Sequence, residues 1–209
     1  MCGRIALTAS IEQIKQHFGL LQGSAVLVPR YNIAPGQVVL VINNNQLEFY
    51  SWGVKLTTAV NNNRNIIINA RLETVTEKRS FKVAFAKQRC LVVASGFFEW
   101  RPVNGKKIPY YITVQNQPIL GLAAIIVGGN CVILTTAANS ATEFSAIHNR
   151  APVIINQENY ALWLSSKTSV DKLLDPNLLI QQNNLQMFPV SMQVNNPKFD
   201  QSACIKSVT

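Results

Sequence analysis

Paired cysteine motifs are missing from this chain. Its four cysteines, Cys2, Cys90, Cys131 and Cys204, are scattered without a CxxC, and only His17 and His148 accompany them. A structural zinc site draws four ligands from short spacings, so no metal is expected. Free thiols of this kind fit a reducing cytoplasm. Long apolar runs are also lacking: the longest, Ile119 to Val127, is far below the roughly 20 residues a spanning helix needs, so no membrane partner is expected. The N-terminus has neither the basic stretch nor the apolar core of a secretory signal. With 48% hydrophobic and 14% charged residues in 209, disorder is excluded and one domain, 1–209, can build a core without staples.

Acidic residues are the other shortage. There are 10 Asp and Glu against 19 Lys and Arg, a net charge of +9. Between Lys55 and Lys107 the imbalance sharpens to eleven basic residues against Glu73, Glu77 and Glu99. A basic segment inside a foldable domain points to a polyanion, most often nucleic acid, or to a solvated surface kept for solubility.

Taken in order, Cys2 to Thr8 reads as a strand. Ser10 caps a helix through Phe18 that Gly19 ends, with His17 in a structural place. A hairpin joins Val38–Ile42 to Leu47–Trp52 through a triple-Asn turn of open type. After the polar loop 61–65 and the apolar run Ile66 to Ile68, Leu72 to Gln88 has helical character broken near Ser80. Cys90 to Trp100 reads as one strand, and Asn104-Gly105 turns it into Pro109–Val114. Strands follow at Ile119–Val127, Cys131–Ala137 and Val153–Ile155, then a helix at Tyr160–Leu164, short helices between Ser169 and Gln182, and an extended tail from Pro189 to Val208. Short hairpin-linked strands with interspersed helices predict an α+β fold around a curved, mostly antiparallel sheet or barrel.

Five residues draw attention for their chemistry. Cys2 follows an initiator Met1 that aminopeptidases remove before a small residue. The exposed α-amine and thiol, with reference pKa values of about 8 and 8.5, would then sit on neighbouring carbons, where an aldehyde closes to a thiazolidine. The competing view is a small apolar residue opening a strand. Glu99 lies in the apolar run Phe97-Phe98-Glu99-Trp100, where burial would raise its pKa for acid–base work, unless alternation points it outward. His148 sits on a loop before an apolar strand, where a histidine is either catalytic or incidental. Asn69 and Arg71 share one strand face, an amide and a guanidinium suited to an oxygen-rich ligand.

These residues fall within motifs spread along most of the chain. They are Met1-Cys2-Gly3-Arg4, Arg30-Tyr31-Asn32-Ile33-Ala34-Pro35, Trp52-Gly53, Asn69-Ala70-Arg71-Leu72-Glu73-Thr74 and Arg89-Cys90. Gly96-Phe97-Phe98-Glu99-Trp100, His148-Asn149-Arg150-Ala151-Pro152, and Pro189-Val190-Ser191 with Val194-Asn195 complete the set. In order and spacing the chain resembles the SOS-response-associated peptidase (SRAP) family, proteins that crosslink to abasic sites in single-stranded DNA. The resemblance implies that Cys2 forms a thiazolidine with the ring-opened sugar, Asn69 orients the amine and the sugar, Glu99 shuttles protons, and His148 assists imine formation and reversal. It further implies that Arg4, Arg71, Arg79 and Arg150 hold backbone phosphates, with Pro35 near the displaced base. Abasic single-stranded DNA is then the partner, a monomer acts without cofactor, and lyase and residual autopeptidase activities accompany the crosslink.

The segment Val54 to Val60 carries no aromatic residue where family members have them, and Phe98 replaces a common tyrosine. Two rival classes remain at this level: an N-terminal-nucleophile glutamine amidohydrolase, for which Asn104-Gly105 would have to serve the oxyanion, and a non-enzymatic nucleic-acid-binding module.

Overall fold

Residues 2–20, 26–55 and 66–208 are described by a computed structural model. The expected loop at 61–65 and most of the aromatic-free segment, 56–60, lie outside them. The first strands are β1 (Ile5–Leu7), β2 (Arg30–Ile33), β3 (Val38–Asn43), β4 (Gln46–Trp52), β5 (Val54–Lys55), β6 (Ile66–Ile67) and β7 (Asn69–Arg71). Then come β8 (Arg89–Ala94), β9 (Gly96–Val103), β10 (Lys106–Val114), β11 (Leu120–Val127), β12 (Asn130–Ala137), β13 (Arg150–Pro152), β14 (Ile154–Ile155) and β15 (Leu185–Pro189). Among the described residues, four short helices, α1 (Ile11–Phe18), α2 (Lys82–Lys87), α3 (Tyr160–Leu164) and α4 (Val170–Leu173), complete an α+β fold.

The larger sheet closes on itself. β12, β4, β3, β8 and β11 pair in that order, and β11 returns to β12, which makes a five-stranded barrel. The closing pair, β12 with β4, is parallel, and further along β12 its place is taken by β7, also parallel. A second sheet of order β15-β10-β9-β1-β2 packs on the barrel. Alternation along its central strands serves two cores. Ile5, Phe97 and Ile112 face the barrel, while Ala6, Phe98 and Tyr111 meet Val190, Val194 and Cys204 of the C-terminal segment. Burying each such phenylalanine stabilises the fold by about 1.5–3 kcal/mol.

The stretch 90–100 is not one strand. The chain leaves the barrel at Ser95 and enters the second sheet at Gly96, where a Cβ would lie 2.5 Å from the Tyr111 ring and 2.7 Å from the Ile112 carbonyl oxygen. Only glycine lets β9 pass that close. The tail also differs from the extended form expected: beyond β15 it runs through single turns at Met192–Asn195 and Ser202–Ile205. The local signals did form. Ser10 and Gln13 make a reciprocal capping box on α1, and Gly19 ends it at φ 65°. Asn44 and Asn45, at φ 47° and 61°, close the β3–β4 hairpin with the left-handed pair that matches strand twist. Arg89, 3% exposed, donates to the carbonyls of Phe85, Ala86, Trp163 and Ser165, capping the last turns of α2 and α3 from inside the core.

Candidate active site

The start of the chain is led to Glu99 by strand pairing. β1 runs antiparallel to β9 with Ile5 opposite Phe97, and the Phe98 N–H donates to the Arg4 carbonyl at 2.9 Å. Continued outward, the same register sets Gly3 opposite Glu99, with Cys2 next to it. Cys2 is fully buried, and the Arg4 backbone amide faces its sulfur. Burial first, and then the negative charge of Glu99, push the thiol well above its ordinary range. The reactive thiolate fraction expected from reference values is therefore absent at neutral pH; a base must take the proton.

Glu99 is the negative charge that the thiol feels. It does not point outward: it shares the barrel-facing side of β9 with Phe97 and is 2% exposed. Burial raises its carboxyl from 4.5 to about 7. His148 Nε2 lies 3.9 Å from Glu99 Oε2. The Arg150 backbone N–H, which can only donate, reaches His148 Nδ1 at 2.9 Å, so the neutral ring carries its proton on Nε2, towards Glu99. The Arg150 carbonyl, 3.1 Å from Nδ1, offers a second partner if the ring is protonated. Burial above all, with the charges of Lys107 and Arg150, lowers the His148 pKa and favours the neutral ring. A carboxyl raised and an imidazole lowered thus stand 3.9 Å apart, the pattern of an acid–base pair.

Glu99 and His148 share a cavity of about 430 Å³ with Trp100, Lys107 and Asn195. Trp100 Nε1 donates to Asn195 Oδ1 at 2.7 Å, and the Arg4 guanidinium lies 6.0 Å from the Trp100 ring centre. Lys107 follows the β9–β10 turn, and no local sequence signal marks it for this site. Asn195 reaches the site because the C-terminal segment is held there: the buried Asn32 amide donates to the carbonyls of Val194, Asn196 and Phe199.

The remaining expected residues divide. Asn69 stands on β7 with its Oδ1 buried and without a partner among the described residues, a free acceptor for an incoming amine or hydroxyl. Arg71 and Arg79 are exposed and open to a polyanion. Arg150 is already committed: its guanidinium forms a two-pronged pair with Glu73, at 2.8 and 3.0 Å, and a third bond to the Thr135 carbonyl. Phosphate would have to displace Glu73. Arg4 is half-buried, with Nη1 on Asn32 Oδ1 and the Val194 carbonyl. Both guanidiniums are engaged in bonds within the protein. Pro35 is partly buried in the turn after β2, beside the Gly36 N–H bond to the Trp52 carbonyl. Asn104 and Gly105, at φ 47° and 77°, form the exposed tip of the β9–β10 hairpin, which removes the oxyanion segment an amidohydrolase would need. No cluster of three metal-ligating side chains occurs among the described residues, and no helix there is long and apolar enough to cross a membrane.

A closed barrel with a lateral sheet, and a buried N-terminal cysteine set against a glutamate–histidine pair, define the class, and comparison with known proteins agrees. The family model "SOS response associated peptidase (SRAP)" matches residues 1–197, and the chain belongs to that family. It is 32% identical over 228 aligned positions to the abasic site processing protein YoqW of Bacillus subtilis (strain 168), covering 99% of this chain and all of that one. With the abasic site processing protein YedK of Escherichia coli (strain K12) identity is 28%, over 87% and 86% of the two chains. A crystal structure of a Bacteroides thetaiotaomicron protein superimposes over the full length of both chains with a TM-score of 0.85 at 23% identity, which establishes the shared fold.

Proposed function

We propose that this protein captures abasic sites in single-stranded DNA as a covalent adduct on Cys2. The observation that carries this is the burial of Cys2 beside a carboxyl whose pKa of about 7 suits proton transfer. Once whatever precedes Cys2 is removed, Met1 included, its α-amine attacks the aldehyde of the ring-opened sugar. A C–N bond forms, and water leaves as the imine appears. His148 Nε2–H protonates the departing hydroxyl, and Glu99 relays the proton that the ammonium loses. The thiol then adds to the imine carbon: a C–S bond forms, and the thiol proton passes through Glu99 to the nitrogen. The product is a thiazolidine, and no electrons are gained or lost. Holding both groups on one residue makes the second addition intramolecular. The same imine acidifies the neighbouring carbon, so proton removal and cleavage of the 3′ C–O bond provide a lyase route. Asn69 Oδ1 accepts from the amine or the sugar.

Arg71, Arg79 and Lys107, all exposed, supply the phosphate contacts, while Arg4 and Arg150 hold Asn32, Val194 and Glu73 in place. Four buried, unpaired cysteines suit a reducing compartment. The test is incubation with a single-stranded oligonucleotide bearing one abasic site. A shifted band that survives denaturation without reductant is expected. No band, or an equal band with undamaged DNA, would reject the proposal.

A further inference from the structure

The sheet face that carries Glu99 continues beyond it. Arg101 follows two residues later on β9, Tyr110 stands opposite Glu99 on β10, and Met187 on β15 stands opposite Ile112. Cross-strand partners share a face, so all three side chains lie on the Glu99 side. The turn Glu143–Ala146, which leads into Ile147 and His148, lies against them. Arg101, Tyr110, Glu143, Ala146, Ile147 and Met187 enclose a second cavity of about 300 Å³. It has no lining residue in common with the Glu99–His148 cavity, yet it adjoins that cavity through Ile147, which precedes His148, and Tyr110, which pairs with Glu99.

Its chemistry differs from that of the reacting site. Tyr110, Met187 and Ile147 give apolar walls, one of them a phenol ring and one a polarisable thioether. At the rim, Arg101 and Glu143 are both exposed, and neither belongs to any of the ion pairs found among the described residues. A guanidinium and a carboxylate thus share one cavity with a phenol ring and a thioether.

We infer that this cavity holds the nucleobase next to the abasic nucleotide, and that guanine is its preferred occupant; the inference rests on the crosslinking function proposed above. Alternate residues on a strand are about 6.5–7 Å apart, a step comparable to that between neighbouring nucleotides of a stretched single strand. A sugar at Glu99 therefore delivers the adjoining base to the Arg101 end of the face. Stacking against an aromatic ring accepts any base; the rim selects among them. Guanine offers two neighbouring acceptors, O6 and N7, to a guanidinium, and its N1–H and N2–H to a carboxylate. Adenine presents an amine where guanine has O6, and thymine has no exocyclic amine at all.

The experiment is single-turnover adduct formation on oligonucleotides that carry each of the four bases on either side of the abasic site in turn. A guanine on one side should accelerate capture about tenfold over thymine, at the low end of what a paired base contact discriminates. Glu143→Gln and Arg101→Ala should each erase most of that preference while changing the thymine-flanked rate less than about twofold, since both side chains are exposed and make no bond the fold needs. Equal rates for all four neighbours on both sides, with adduct still forming, would overturn the guanine pocket and leave the crosslinking proposal standing. A guanine preference unchanged in both variants would also overturn the pocket. Absence of adduct on every oligonucleotide would overturn both.

Discussion

Replacing Glu99 by glutamine should make the protein slower and more stable at once. Folding raises the carboxyl from 4.5 to about 7 through burial. A folded-state pKa above the unfolded one means the native state binds more protons between those values, so stability is full below pH 4.5 and is lost as pH rises through 7. At about 1.4 kcal/mol per pH unit, the ionised side chain costs the fold about 3 kcal/mol at pH 8. Glutamine has nearly the same shape and no charge to desolvate. The variant should therefore gain up to about 3 kcal/mol at pH 8, a melting midpoint some 5–10 °C higher, and less than about 1 kcal/mol at pH 5. Adduct formation should fall by about 100-fold or more, because the proton relay is gone. Thermal melts at the two pH values and single-turnover crosslinking rates read both effects. An equal stability change at pH 5 and pH 8 would refute the raised carboxyl, and an unchanged rate would refute its role.

Other outcomes follow from the same geometry. With Arg71, Arg79 and Lys107 as the exposed phosphate contacts, the log–log salt slope for single-stranded DNA should be about −2, and Arg71→Ala should flatten it by about 0.7; a slope near zero would mean a merely solvated surface. Cys2→Ser keeps the α-amine, so its adduct should be trapped by borohydride and lost on heating, whereas the wild-type adduct survives heat untreated. Arg89→Met strands four carbonyls, those of Phe85 and Trp163 fully buried, and should cost about 3–5 kcal/mol in denaturant unfolding. A loss below 1 kcal/mol would show that water replaces the guanidinium.

Much of this was legible in the residues, for local reasons. The Ser10 cap, the Gly19 stop and the Asn104-Gly105 turn act within a few residues of themselves, and the helix and hairpin they predict are present. Glu99 stood out because a carboxylate among aromatics has few stable places. What failed was set by distant parts of the chain. Residues 89–99 are buried without a break, so alternation gives no hint that the chain changes sheets at Ser95 and Gly96; the close passage of Tyr111 decides that. The tail lacks a repeating pattern, and its path is fixed by Asn32 and Arg4, more than 150 positions away in the chain. Charge alone could not show that Arg150 spends its fork on Glu73, or that Lys107 comes to the cavity of Glu99. The burial that deprotonation of Cys2 must overcome is likewise a tertiary property.

The central claim is that both reactive groups belong to Cys2. Crosslinked protein should be digested with protease and nuclease, and the modified peptide sequenced by tandem mass spectrometry. The expected peptide begins at Cys2, lacks Met1, and carries the sugar remnant on that residue with one water lost and no other mass change. A remnant on a lysine such as Lys107, or on a peptide that retains Met1, would contradict that claim.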